Sequence, residues 1–189
     1  MANISELEIS QIYPREITTS DGRELSLRLM KAGDKPALLK FAQSLPADDL
    51  LFLRTDITEP STIDQWLQNI TDHKTVTILA EEAPGRVAGY VSLHMDGPRW
   101  TRRVGEVRVQ LAVDYRGIGL GKRLVGEIFR FGQDLNLKKM AALMTPEQAS
   151  ARASFEALGF QAEATLHDWV VDRSGMSRDL VVMSLVCER

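Results

Sequence analysis

One cysteine in 189 residues, Cys187, leaves no second thiol for it to pair with inside the chain. An internal disulfide framework is excluded, and this usage fits a reducing compartment. Cys187 lies in the last strand-like run and reads as an idle, buried thiol. Long apolar runs are missing too. None approaches the roughly 18 residues that span a bilayer, and Met1 to Ser20 is polar and acidic, unlike a secretory signal. These absences point to a cytoplasmic protein that works away from membranes. Charge of one sign is also lacking. Lys and Arg number 23 against 26 Asp and Glu, a net charge of −3, which leaves no basic footprint for nucleic acid and mildly suits a cationic partner. No set of His, Cys, Asp and Glu has metal-ligand spacing. With 44% apolar and 26% charged residues, a chain of this length buries a core without staples.

Hydrophobic periodicity then orders the chain. Glu16–Thr19 and Glu24–Met30 flank an Asp21-Gly22 hairpin turn, and Leu25, Leu27 and Leu29 alternate as in a half-buried strand. Asp34 and Pro36 open a helix whose apolar face is Ala37, Leu38, Phe41, Ala42 and Leu45; Pro46 ends it. After a short segment from Asp48 to Arg54, Ser61 reads as the N-cap of a helix carrying Ile63, Trp66, Leu67 and Ile70. Two β-rich runs, Thr75–Glu81 and Val87–Met95, form a second hairpin. A polar loop, Asp96–Arg103, leads to a central strand-like run ending at Val113. A glycine-rich turn opens a helix with Leu120, Leu124, Ile128, Phe131 and Leu135 at helical spacing. Arg123–Glu127 and Glu127–Arg130 read there as surface pairs worth a few tenths of a kcal/mol. Gly126 and Gly132 each cost that helix about 1 kcal/mol unless close packing demands them. A strand at Lys139–Met144, a helix at Glu147–Leu158 and a terminal hairpin complete the chain. Strands and helices in this order imply an α/β (α+β) domain, a mixed sheet with helices on its faces. Residues 23–189 read as one domain, and residues 1–22 as an amino-terminal arm and first hairpin strand.

The turn is Arg116-Gly117-Ile118-Gly119-Leu120-Gly121. A strand, a glycine turn and a helix together suit a phosphate. First-turn N–H groups lack intrahelical partners, the helix dipole favours an anion there, and glycines let the backbone approach. Two familiar patterns fail. A P-loop would need glycine at Arg116 and Ser or Thr at Arg123, and a dinucleotide fingerprint would need glycine at Lys122 or Leu124. A glycine turn made only for tight packing stays open on these residues alone.

The pattern present, Arg-x-x-Gly-x-Gly, resembles the diphosphate loop of the GNAT acyltransferase superfamily. That family's Val-x-Pro-x-Tyr-Arg-Gly-x-Gly-x-Gly overlays Leu111 to Gly121, with Val113 where proline is frequent. Phe155-Glu156-Ala157-Leu158-Gly159-Phe160 is similar to its Tyr-Glu-x-Leu-Gly-Phe, and the central strand resembles bacterial protein lysine acetyltransferase domains. The resemblance runs from about Glu24 to Leu185. It implies a mostly antiparallel sheet, splayed at its centre, whose slot takes the pantetheine arm of acetyl-CoA. It implies acetyl transfer to a primary amine of a small molecule or a protein, with a homodimer left open. Cofactor contacts carried over are Leu111, Val113, Arg116, Gly117, Ile118, Gly119, Gly121, Lys122 and Gln148. Leu111, with Val109 and Val113 as neighbours, is the expected backbone donor to the thioester oxygen. Glu106 is the candidate base. Strand alternation puts it on one face with Arg108 and Gln110, where an ion pair with Arg108 or Arg103 is the competing account. Phe155 departs from the family's tyrosine and has no proton to give a leaving thiolate. That departure favours an alternative, a non-catalytic CoA-binding sensor or docking module. On the acceptor side, His94 reads as a structural or solvent-facing histidine, Trp100 as a pocket or subunit-contact residue, and Arg54 and the Asp48-Asp49 pair as solvated loop charges.

Overall fold

The computed structural model describes residues 12–51, 53, 55–95, 100–172 and 174–187. The arm from Met1 to Gln11, Arg54, and residues 96–99 of the polar loop lie outside them. The described residues build one sheet in the order β1-β2-β3-β4-β5-β6-β8-β7. The strands are β1 Arg15–Thr18, β2 Glu24–Leu29, β3 Thr75–Ala83, β4 Arg86–His94, β5 Val104–Leu111, β6 Lys139–Met144, β7 Gln161–Val171 and β8 Ser177–Val186. Every neighbour pair is antiparallel except β5 and β6, which run parallel. The helices are α1 Lys35–Ser44, α2 Ala47–Leu51, α3 Pro60–Thr71, α4 Leu120–Asp134 and α5 Ala149–Glu156. Among the described residues no helix is long and apolar enough to cross a membrane.

Alternation sorts the sheet into two packed faces. On one, Leu25, Leu27, Ile78, Val91, Leu93 and Val107 meet Leu120, Leu124, Ile128 and Phe131 of α4. On the other, Leu79, Val87 and Tyr90 meet Phe41 of α1 and Ile63 and Trp66 of α3. Trp66 packs edge-on to Tyr90 at 4.8 Å and donates its Nε1–H to the Thr77 hydroxyl at 2.9 Å. The heptad-like apolar stripe of α4 is what ties this helix to the strands that carry the site.

Three local expectations change. Asp34 stands at the N-cap of α1, but its carboxylate makes no cap there: it accepts both Arg28 and the Lys31 N–H. A half-buried guanidinium is the stronger partner. Ser61 is not the N-cap of α3. Glu59 holds that place and Pro60 takes the first helical position, where its missing N–H costs nothing. Finally, the Glu127 pairs with Arg123 and Arg130 form, but their carboxylate is not at the surface. Its side chain is only 3% exposed, because β1 lies over α4 and brings Tyr13 (3.1 Å) and Arg15 (3.1 Å) to the carboxylate beside Arg123 (3.3 Å) and Arg130 (3.9 Å).

The feature that makes the site is a strand pair that stops early. β5 and β6 pair at Val104/Lys139, Gly105/Met140 and Glu106/Ala141, and there the register ends. β5 runs on to Leu111 against β4 alone, and β6 runs on to Met144 against β8 alone. The sheet parts beyond Glu106.

Candidate functional site

Backbone parity decides what faces the gap. Ala112 N donates to Ala88 O across β4 at 2.9 Å. Hydrogen-bonded and non-bonded pairs alternate along an antiparallel ladder, and the β4–β5 register shows no shift. Leu111 and Val109 therefore sit in non-bonded pairs, opposite Gly89 and Val91. Their N–H groups point away from β4, into the gap that β6 has left. The Leu111 carbonyl points the same way, and Arg116 reaches back to it with Nη2 (3.0 Å) and Nε (3.3 Å).

The glycine turn stands at the end of this gap. Gly117 (φ 73°) and Gly119 (φ 81°) both lie in the left-handed region, which strains any residue with a side chain. A Cβ at either would meet nothing within 4 Å, so the space beside them is open. Gly119 is the N-cap of α4 and no side chain caps that end. The first-turn N–H groups thus remain available to an anion.

A cleft of about 550 Å³ runs from here between β5, α4 and α5. Seven of the expected cofactor contacts line it: Leu111, Arg116, Gly117, Gly119, Gly121, Lys122 and Gln148. Val113 and Ile118 do not. Val113 sits in a short 3-10 turn, 53% exposed. Ile118 faces the groove on the other side of α4, toward β1. The cleft carries two cations, Arg116 and Lys122, and two anions, Asp49 and Glu147, each anion held by an arginine: Asp49 by Arg116, Glu147 by Arg178 at 3.5 Å. Asp49, on α2, reads in the sequence as a solvated loop charge, since its partner is 67 residues away.

A narrower slot continues the cleft through the parted strands. Val109, Gln110, Gln148, Ala151 and Phe155 line both, and the slot reaches Glu106, Arg108 and Ala142. Gln148 is set by its own turn, its Oε1 accepting the Thr145 N–H at 3.0 Å. Phe155 is 3% exposed and packs edge-on to Phe160 at 4.9 Å, so a ring without a hydroxyl walls the slot. Of the hydroxyls near it in sequence, Ser154 lines the cleft and donates to Ser150 O (3.0 Å). Tyr115 is in the core, and burial pushes its hydroxyl up from the ordinary tyrosine value.

The face toward α1 and α3 is polar across the strands at this point. Register places Glu106 opposite His94 and Arg108 opposite Ser92. Glu106 accepts Arg108 Nε at 2.7 Å, with 19% and 23% of the two side chains exposed. His94 contacts the hydroxyls of Thr75 (3.2 Å) and Ser92 (2.8 Å). The competing ion-pair account of Glu106 is thus present in the structure, and the same carboxylate lines the slot. Trp100 stands 85% exposed in its loop. Cys187 is buried, and burial pushes its thiol up, as expected of an idle one. Among the described residues no group of His, Cys, Asp and Glu could hold a metal.

Comparison with known proteins agrees with this architecture. Residues 41–160 match the model of the acetyltransferase (GNAT) family. YwnH of Bacillus subtilis (strain 168), whose naming as a phosphinothricin acetyltransferase is provisional, is 24% identical over 160 residues, 84% of this chain and 97% of that protein. The yncA structure from Salmonella typhimurium, which holds acetyl-CoA, is similar with a TM-score of 0.77 at 18% identity, over 87% of this chain and 95% of that one. The ribosomal-protein-alanine N-acetyltransferase of Brucella melitensis gives 0.74 at 25% identity, over 85% and 98%.

Proposed function

Because the chain belongs to the acetyltransferase (GNAT) family, we propose that it transfers an acetyl group from acetyl-CoA to a primary amine by direct attack in a ternary complex. The observation that carries this is the arrested β5–β6 pairing. It leaves the Leu111 N–H facing the glycine-loop cleft, into which the slot between the parted strands opens.

The residues present fit the donor. Open space beside Gly117 and Gly119, the uncapped start of α4, Arg116 and Lys122 suit a diphosphate. The slot, with Val109, Ala151 and Phe155 for contact and Gln110 and Gln148 for hydrogen bonds, suits a pantetheine chain and its amides. Acetyl-CoA supplies an activated carbonyl. Leu111, with Val109 behind it, aims a fixed N–H where negative charge develops on that carbonyl oxygen. The amine must arrive neutral. For a lysine-like amine of pKa about 10.4, deprotonation at pH 7 costs roughly 4–5 kcal/mol. Glu106, on the face toward α1 and α3, accepts that proton directly or through one water, and Arg108 fixes its orientation. The C–N bond forms, the C–S bond breaks and a thiolate leaves. With Phe155 in the wall, solvent protonates it, a small demand for a thiol whose free pKa is about 8.5. Similar proteins are named for a small-molecule acceptor, phosphinothricin, and for a ribosomal-protein alanine, so the acceptor is proposed at the level of a primary amine on a small molecule or a protein. We read residues 23–189 as the catalytic domain of a cytoplasmic enzyme, to whose sheet β1 adds the edge strand; a homodimer stays open.

The test is a panel of primary amines with acetyl-CoA, read by thiol release. Glu106→Gln is expected to lower kcat about 100-fold with CoA affinity unchanged; unchanged turnover removes Glu106 from the mechanism. Phe155 favours a second reading, a CoA-binding sensor or docking module. Tight CoA binding with no turnover on any amine would establish it.

A further inference from the structure

The turn between β1 and β2 touches the glycine loop from behind. Thr19 N donates to Arg23 O (2.9 Å) and Gly22 N to Thr19 O (3.0 Å), and Asp21 pairs with Arg23 Nε (3.0 Å), so the turn is rigid in itself. It reaches the loop at three places. Ser20 N donates to Ile118 O at 3.3 Å. Arg23 Nη1 donates to Asp114 O at 2.9 Å. The Arg23 guanidinium lies over the Tyr115 ring, 5.0 Å from its centroid. These contacts bracket Arg116 and Gly117 on both sides. They also set an orientation. In the planar trans peptide joining Ile118 to Gly119, the carbonyl and the N–H point opposite ways. Holding the Ile118 carbonyl on the hairpin turns the Gly119 N–H toward the cleft.

We propose that Arg23, with the β1–β2 turn that carries it, is a positioning residue for donor binding: it holds the glycine loop in the shape that receives a diphosphate. The claim rests on the acetyl-transfer reading above and goes beyond it, since the hairpin precedes residues 41–160, the segment that matches the family model. The physical need is clear. Gly117 and Gly119 make the loop permissive, and a permissive backbone loses more freedom when a ligand orders it. Contacts made before the ligand arrives remove that cost from binding. Arg23 is over a third exposed and is not among the described residues that line the cleft, so it acts through the loop.

Two acetyl donors separate this role from general support of the fold. One is acetyl-CoA. The other is S-acetyl-N-acetylcysteamine, which keeps the thioester and lacks the diphosphate. Arg23→Ala is expected to raise the Kd for CoA, measured by calorimetry, and the KM for acetyl-CoA about tenfold, with kcat at saturation unchanged. Its kcat/KM with the truncated donor should match the wild type. Arg23→Lys, which keeps a cation over Tyr115 and one donor for Asp114 O, should recover part of the loss. A CoA Kd within twofold of wild type in Arg23→Ala overturns the proposal, and so does an equal loss with both donors. A wild-type chain that binds no CoA overturns the acetyl-transfer reading itself, which sets that failure apart from the other two.

Discussion

Arg28 holds two buried carboxylates at once, and its removal is the sharpest test of the energetics. Its guanidinium meets Glu81 through Nε (2.6 Å) and Nη2 (2.7 Å), and Asp34 through Nη1 (2.7 Å) and Nη2 (2.8 Å). The acid side chains are 8% and 6% exposed. Arg28→Met keeps most of the apolar stem and deletes the cation. Two buried anions then lose their cation and keep only backbone N–H donors, Lys31 for Asp34 and Gly85 for Glu81, a situation that costs about 3–5 kcal/mol. In a chain of this size each kcal/mol moves Tm by about 2–4 °C, so the expected loss is roughly 6–20 °C.

The pH dependence carries the sign. Burial works to raise the Asp34 carboxyl, but Arg28 and the Lys31 N–H outweigh it and hold the group below the usual carboxylate range. A depressed folded-state value contributes stability above the unfolded value of about 3.9 and loses it as pH falls through the folded one. In Arg28→Met burial is opposed only by Lys31, and protonation relieves the site. The deficit should thus be largest near pH 7 and narrow steadily toward pH 4. Thermal unfolding across that range reads it directly, and Arg28→Met with Asp34→Asn and Glu81→Gln should regain most of the lost stability. A deficit under 1 kcal/mol, or one constant from pH 7 to pH 4.5, refutes the electrostatic account and leaves only packing.

Three further outcomes follow from other parts of the molecule. Gly126 lies in α4 with nothing within 4 Å of where a Cβ would stand, so Gly126→Ala should raise stability by about 1 kcal/mol, whereas a Cβ at Gly132 would lie 2.4 Å from Met140 Sδ in the core, so Gly132→Ala should lower it by about 1–2 kcal/mol; paired melts check both. Asp49 competes with any diphosphate for Arg116, so Asp49→Asn should tighten CoA about threefold, or about 0.6 kcal/mol, in calorimetry, and weaker binding would mean that Asp49 supports the arginine instead. Burial raises the Cys187 thiol, so a disulfide reagent at pH 8 should leave it untouched in the folded chain and label it in denaturant.

Local chemistry made much of the site readable. Glycine spacing placed the loop, and strand alternation placed Glu106, Arg108 and Gln110 on one face, as the register with His94, Ser92 and Tyr90 bears out. What the sequence could not show depends on partners far along the chain. Glu127 reads as a surface residue of an amphipathic helix until Tyr13 and Arg15, over a hundred residues earlier, cover it. Asp49 reads as a loop charge until α2 brings it to Arg116. The direction of the Leu111 N–H depends on which residue of β4 it faces, and a slip of one residue would reverse it.

That direction also explains why the strand end is stable without a neighbour. A β-strand that leaves its sheet exposes backbone groups on one side, and each unpaired group in a dry site is costly. Here the two groups of Leu111 are treated differently. Its carbonyl is taken up by Arg116, whose planar fork bonds it through both Nε and Nη2 while the same guanidinium holds Asp49. Its N–H is left to the cleft. A lysine at this position could satisfy the carbonyl with a point charge, but it has no fixed fork with which to hold strand, helix and anion together. One arginine, set five residues beyond the strand end by the 3-10 turn Val113–Tyr115, closes the acceptor side of the backbone and keeps its donor side open. The asymmetry is what a site for a developing oxyanion requires, and it arises where the β5–β6 ladder ends.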